Sequence, residues 1–162
     1  MYLAALAGLL CLSYVALSYG LPWFFEGGRA RLGPPAWRSL LTIALFALGA
    51  FLVSFHIHDK QLANRFLHVF GGGVAGFLVC FLAARDSALL IGRARFFIVA
   101  ALVVTAMGVG NELLEFFLQE YTPLLFSSTP IDTWLDLASN TVGIALAALI
   151  LTPLIPRQGI KR

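Results

Sequence analysis

The chain has 162 residues, of which 60% are hydrophobic and 12% charged, and its formal net charge is +3. A mean hydropathy of +0.89 is too high for a soluble domain of this length and is typical of a polytopic membrane protein. The basic residues are scattered through the sequence instead of forming one patch with aromatic residues, so we expect no nucleic-acid partner.

Five apolar runs are long enough to cross a bilayer, which takes roughly 20 mostly apolar residues. They cover about 2–21, 38–57, 66–84, 95–118 and 134–153. Because these runs use nearly the whole chain, we expect a single all-α integral membrane domain over residues 1–162, a bundle of about five transmembrane helices. The first run has neither a basic start nor a small-residue cleavage site, so it is interpreted as a retained helix and not as a secretion signal.

The basic residues predict how the bundle is oriented, since Lys and Arg concentrate in short cytoplasmic loops. The second connection holds only Lys60 and Arg65. The remaining nine of the eleven fall in the first connection, the third connection and the tail: Arg29, Arg31, Arg38, Arg85, Arg93, Arg95, Arg157, Lys161 and Arg162. We therefore expect the N-terminus outside and the C-terminus in the cytoplasm.

Ionisable residues gather toward the predicted outer ends of three helices. The segment GNELLEF puts Glu112 and Glu115 at the end of the fourth apolar run. Spacings of three or four residues place one polar and glycine-containing stripe on each neighbouring helix, with Asn64, His68, Gly72 and Gly76 on the third and Asp132, Asp136, Asn140 and Gly143 on the fifth. Small residues let helices approach closely, so we expect the three stripes to pack together and bring the polar groups to one place.

Simpler interpretations exist for several of these residues. Glu112 and Glu115 would mark the water-facing end of a helix, but aromatic residues follow them, and an acid inside a span is expensive unless it is paired or functional. Asp132 is also suited to capping the fifth helix. His56 and His58 lie in a polar segment, where solvation is more common than metal binding.

The glycines and cysteines favour structural roles. The run Gly71-Gly72-Gly73 has no lysine after it and is better suited to close helix packing than to a phosphate loop. Cys11 and Cys80 lie in apolar runs without a CxxC spacing, as small buried hydrophobic residues do.

Three motifs over about residues 59–147 resemble a known family. They are Asn64, Arg65, Leu67 and His68; then Glu112 and Glu115; then Asp132, Thr133, Asp136, Asn140 and Gly143. This pattern resembles the VanZ-like membrane proteins and the related YjdF-type inner-membrane proteins. The resemblance implies a small multi-pass bundle in the bacterial cytoplasmic (inner) membrane with a role in the cell envelope. VanZ itself is associated with low-level teicoplanin resistance, so the resemblance also implies a link to antibiotic resistance.

The predicted cluster is compatible with two kinds of chemistry. With a divalent metal ion as cofactor, Glu112, Glu115 and Asp136 would supply oxygen ligands for Mg²⁺, Mn²⁺ or Ca²⁺, and His68 would admit Zn²⁺ or iron. Without a metal, His68 would be a general base while a glutamate donates a proton. We expect substrate to be bound by Arg65, Lys60, Asn140 and Asp132, with the two cations suited to a lipid phosphate.

These features support a membrane enzyme acting at the outer leaflet on a lipid or lipid-linked envelope precursor. The alternative is a non-catalytic protein that binds or transports a cation, a glycopeptide or protons. Transport through the membrane is less well supported, because transporters usually bind substrate near the bilayer midplane. In a third hypothesis, the cluster is a hydrogen-bonded clamp that fixes helix packing. The sequence leaves the choice between enzyme and non-enzyme open.

Overall fold

The computed structural model describes residues 2–26, 36–122 and 130–155, and all regular structure within these ranges is helical. Five helices follow in chain order: α1 (Tyr2–Glu26), α2 (Trp37–Phe55), α3 (Lys60–Asp86), α4 (Arg93–Tyr121) and α5 (Pro130–Leu151), the last continued by a 3-10 turn at Thr152–Leu154. Each contains a stretch long and apolar enough to cross a membrane. The prediction of an all-α multi-pass protein with five spans is therefore confirmed.

Several helices begin earlier or end later than the apolar runs that predict them, whereas α2 ends at Phe55, slightly before the end of its run. The first continues through Pro22 to Glu26, and the fifth begins at Pro130. The largest extension is at the start of α3, where Asp59 accepts a hydrogen bond of 2.8 Å from the Leu62 backbone N–H. This cap satisfies a backbone donor that has no partner within the helix, so a polar first turn can form ahead of the apolar run.

The middle of α3 departs from α-helical geometry. Residues His68–Val74 form a π-helical segment between the α-helical parts Lys60–Leu67 and Ala75–Asp86. At its end, the Ala75 N–H bonds to the carbonyl of Phe70, five residues earlier. A π turn holds more residues than an α turn, so the regular four-residue spacing predicted for this helix is lost here.

Helix α3 occupies the centre of the bundle. Half of its span is buried within the protein, whereas 28% or less of each other span is buried. Its second half carries much of the hydrophobic core, including Phe77, Val79 and Cys80. The ring of Phe77 meets that of Phe96 on α4 edge-on, with centroids 5.6 Å apart. Side chains on the four other helices are therefore positioned relative to α3.

Glycine allows α3 and α5 to meet backbone to backbone. A Cβ on Gly73 would overlap the Asn140 carbonyl oxygen and lie 2.7 Å from the Gly143 Cα. A Cβ on Gly143 would in turn overlap the Val69 carbonyl oxygen. No larger residue fits at either position without moving a helix, so the close packing predicted from the glycine run is present.

A carboxylate fastens the other end of α3. Asp86 accepts hydrogen bonds from the Tyr14 hydroxyl of α1 at 2.7 Å and from the Ser39 hydroxyl of α2 at 2.5 Å. Its second oxygen accepts from Arg85 at 2.9 Å. This Asp86 clamp joins three helices at the end of α3 that the charge pattern predicts to be cytoplasmic.

Replacing Gly73 with alanine tests the contact between α3 and α5. Gly73→Ala is expected to lower the free energy of unfolding by about 1–3 kcal/mol, the usual penalty of overpacking, because neither facing backbone can retreat. The matched control is Gly49→Ala on α2, where a Cβ would meet nothing within 4 Å. Heating both variants in detergent and measuring the monodisperse fraction gives the comparison. Equal heat stability of the two variants would contradict the close contact.

The orientation of the bundle stays a prediction, and cysteine labelling tests it. Gln61 and Leu90 are exposed just beyond opposite ends of the apolar part of α3. In a variant lacking Cys11 and Cys80, Gln61→Cys should react with a membrane-impermeant maleimide added to intact cells, and Leu90→Cys should react only after the cells are broken. The reverse pattern would place the N-terminus in the cytoplasm.

Candidate functional site

Asp136 is the centre of the polar cluster. It lies on α5, two turns inside the helix, and is 3% exposed. One carboxylate oxygen accepts hydrogen bonds from Arg65 and from the Asn64 amide, the latter at 2.9 Å. The other oxygen lies 3.4 Å from Nε2 of His68. Arg65 and His68 of α3, both predicted site residues, therefore meet Asp136 of α5.

Arg65 joins the cluster to the first turn of α5. Its guanidinium binds Asp136 and also donates to Asp132, at 2.7 Å to the carboxylate and 3.2 Å to the backbone carbonyl. Asp132 was also considered as a helix cap, but α5 begins at Pro130, so Asp132 is the third residue of the helix and its carboxylate pairs with Arg65. The Arg65 guanidinium is thus neutralised by protein carboxylates, whereas Lys60, the other cation predicted to bind a phosphate, is exposed at the start of α3.

Glu112 brings α4 into the site. It is 7% exposed, and its Oε1 atom is buried with no hydrogen-bond partner among the described residues. One potential ligand atom from each of Glu112, His68 and Asp136 lies within 4.8 Å of the other two. Ligands on opposite sides of a divalent ion are about 4–5 Å apart, because each bond is roughly 2.0–2.5 Å long. The three groups are therefore spaced to hold one ion after small adjustments.

Glu115 is not part of this three-residue group. It lies on the same helix as Glu112, half-buried, and accepts a hydrogen bond of 2.8 Å from the Asn111 amide. The metal-capable group found among the described residues consists of His68, Glu112 and Asp136. The predicted fourth ligand instead binds an amide on its own helix.

Asn140 lies between two glycines of neighbouring helices. A Cβ on Gly72 of α3 would overlap its Oδ1 atom, and a Cβ on Gly108 of α4 would lie 3.0 Å from its Nδ2 atom. The residue is 5% exposed, and Oδ1 has no hydrogen-bond partner within the described ranges. The glycines of the predicted stripes thus have two roles: they let the helices approach closely, and they make room for the Asn140 side chain.

A pocket of about 70 Å³ adjoins the cluster. Its polar wall is formed by His68, Asn111 and Asn140. The remaining wall is apolar and comes from α1, α3 and α4, including Leu6, Leu9, Leu10, Leu67, Val104 and Met107. This pocket is not predicted from the sequence, because its α1 wall consists of leucines and α1 has no Asp, Glu, Lys, Arg or His before Glu26.

The other candidate groups lie outside the cluster. His56 is exposed, and its Nδ1 atom is 2.8 Å from the Leu52 carbonyl oxygen of the preceding turn. His58 is also exposed. Cys11 and Cys80 are free thiols, one half-buried and one buried. These positions agree with the solvated-loop and apolar interpretations.

The fold and the site define a multi-pass helical membrane protein with a buried His, Glu and Asp group near one end of its bundle. The family model described as Predicted membrane protein (DUF2238) matches residues 36–157, and the chain belongs to this family. The match includes every residue of the polar cluster, whereas α1 precedes it. Comparison with curated proteins and with solved structures finds no match.

Substitutions at the two aspartates test the arrangement around Arg65. Asp136→Ala is expected to reduce the free energy of unfolding by about 3 kcal/mol, because it leaves a largely buried guanidinium without one of its partners. The Asp132 side chain is 21% exposed, so Asp132→Ala should cost only about 1 kcal/mol. Unfolding in a denaturing detergent measures both. An equal or larger effect at Asp132 would show that Asp136 is not the centre of the cluster.

Proposed function

We propose that this protein is a membrane enzyme that uses a divalent metal ion to act on a lipid or lipid-linked precursor of the bacterial cell envelope. The observation that carries the proposal is the convergence of His68, Glu112 and Asp136 from three helices. The unpartnered Oε1 atom of buried Glu112 supports a ligand at this point, because buried polar atoms nearly always have a partner.

The donor set favours a transition metal or zinc. One imidazole and two carboxylates suit Zn²⁺, Mn²⁺ or Fe²⁺ better than Ca²⁺, which prefers six to eight oxygen ligands. A bound ion would polarise an ester or phosphoryl oxygen and activate water. Three protein ligands leave coordination positions for substrate and water, as catalytic sites require.

The surrounding residues would support that ion. Arg65 and Asn64 hold the Asp136 carboxylate from one side and fix its direction. Partners of this kind orient metal ligands, and losing them usually weakens metal binding. Because Arg65 is already bound to two carboxylates, the role of holding a substrate phosphate is assigned to Lys60, which is exposed at the same end of α3.

The location within the membrane supports a lipid substrate. The cluster lies near the end of three spans, and the charge pattern predicts that this end faces outward. A site just below the outer headgroups and far from the midplane is within reach of membrane lipids and of envelope precursors carried on lipids. The resemblance to VanZ-like proteins supports the same cell-envelope setting in a bacterial inner membrane.

A non-catalytic cation-binding protein is the second candidate. The same unpartnered carboxylate oxygen favours it, since a buried acid that meets a cation need not catalyse a reaction. An enzyme would convert its lipid substrate into product, whereas a cation-binding protein would not. Substitution of His68 should change the lipid composition of the membrane if the protein is an enzyme and leave it unchanged if the protein only binds ions.

Metal analysis of purified variants tests the ion. The protein equilibrated with Mn²⁺ or Zn²⁺ and then desalted should retain about one ion per chain, and Glu112→Gln and His68→Gln should bind it at least about tenfold more weakly. At Glu112, glutamine keeps the size of the side chain while removing its charge, and at His68 it removes the imidazole ligand while keeping a polar side chain.

The matched control is Glu115→Gln, which changes the same residue type one turn further along α4. Because Glu115 is outside the three-residue group, this variant should retain metal as the unmodified protein does. Equal metal retention in all three variants would rule out the proposed ligands, and absence of metal from the unmodified protein would rule out the metal mechanism.

A further inference from the structure

The two unpartnered polar atoms of the site are both hydrogen-bond acceptors. They are Oε1 of Glu112 and Oδ1 of Asn140, each buried without a partner among the described residues. An ion at the His68, Glu112 and Asp136 group would satisfy the first. The second belongs to Asn140, which lines the pocket together with Gly72 and Gly108, and a ligand that satisfies Asn140 Oδ1 must bring its own donor.

The rest of the pocket selects for hydrocarbon. Apart from His68, Asn111 and Asn140, its lining is made of aliphatic, methionine and glycine residues. Leu9 at its α1 side is 51% exposed within the membrane-spanning part of the helix. A ligand chain can therefore pass from the lipid phase into the pocket without crossing a polar surface, and burial of apolar chain against these residues would stabilise it.

From these two features we infer that the pocket between α1, α3 and α4 holds the first part of a hydrocarbon chain whose polar end donates a hydrogen bond to Asn140. The ligand class is an amphiphile with a hydroxyl, amide N–H or ammonium group directly next to its chain. This inference rests on the proposed function, because it assigns a substrate class and a direction of entry to the same site. Helix α1 becomes part of the substrate site.

The glycines beside Asn140 help to determine which ligands the pocket accepts. Gly72 and Gly108 hold the Asn140 side chain between α3 and α4, and a Cβ on Gly71 would lie 3.4 Å from the Leu6 side chain of α1, which also lines the pocket. A fixed amide discriminates strongly against a ligand that lacks the matching donor, since its oxygen is then left unpaired. The pocket should therefore distinguish an alcohol from an ether that has the same chain.

Photolabelling with a defined probe tests the inference. The probe is a hexadecanol that carries a diazirine early in its chain, added to the purified protein in lipid nanodiscs, and peptide mass spectrometry locates the labels. Labels are expected on α1 and α4 residues that line the pocket. Excess hexadecanol should compete, whereas the methyl ether of hexadecanol, which cannot donate, should compete about fivefold less well.

Two variants and a control connect the label to the pocket. Leu9→Trp fills the α1 side of the pocket, and Asn140→Leu removes the acceptor while keeping a side chain of similar size. Both should reduce pocket labelling about fivefold or more. Leu12→Trp is the control, because Leu12 is on the same helix, is 69% exposed and does not line the pocket.

The outcome separates this inference from the proposed function. Labels spread evenly over all lipid-facing helices, or equal labelling in Leu9→Trp and Leu12→Trp, would overturn the chain pocket. Metal content is measured on the same preparations, so retained metal with no pocket label refutes the pocket alone. Pocket label without metal refutes the metal enzyme alone. Because Leu9→Trp alters only a half-exposed position, it also keeps the test valid if Asn140→Leu does not fold.

Discussion

The contact between Gly73 and Gly143 sets how closely the polar groups of α3 and α5 approach one another. It allows α3 and α5 to touch through their backbones, so that side chains one or two turns away are forced close together. Asp136 and Asn140 precede Gly143 by seven and three residues and therefore face α3 at successive levels. Without this contact, Asp136 would not reach both Asn64 and His68, and the ion pair with Arg65 would not form.

The packing of α3 against α5 places the buried carboxylates of α5 next to a cation of α3. Arg65 lies between Asp132 and Asp136, which neutralises much of the negative charge on α5. Glu112 has no comparable cation among the described residues, and its carboxylate faces Asp136 and His68. A buried carboxylate without a cation is unfavourable. The metal ion or ligand proposed here would supply the missing positive charge or hydrogen bond.

The sequence predicted the number of spans and most of the cluster, because both depend on residue type and on regular spacing. Apolar length identified five helices, and polar residues inside spans identified His68, Glu112, Asp136 and Asn140. Spacing alone did not separate Glu115 from Glu112, since the two are three residues apart and only the tertiary structure shows which one faces α3. The partners of Arg65 were also missed, because pairing across helices requires their relative height.

The π-helical segment explains the remaining difference between pattern and structure. A four-residue spacing puts Gly72 and Gly76 on one face with His68, yet Gly72 meets Asn140 on α5 and Gly76 meets Val104 on α4. The extra residue in the wide turn rotates the second half of α3 relative to the first. The pocket was not predicted for a different reason: its α1 wall consists of leucines, which look the same in the sequence as any lipid-facing surface.

The π-helical segment also makes the length of this part of the chain critical. A π turn is equivalent to an α-helix with one inserted residue, and each residue turns an α-helix by about 100°. Loss of one residue between His68 and Val74 would leave the apolar composition of α3 almost unchanged. It would nevertheless turn Asp86 away from Tyr14 and Ser39 or turn His68 away from Asp136, because both ends are fixed. In this helix a deletion is therefore more damaging than most substitutions.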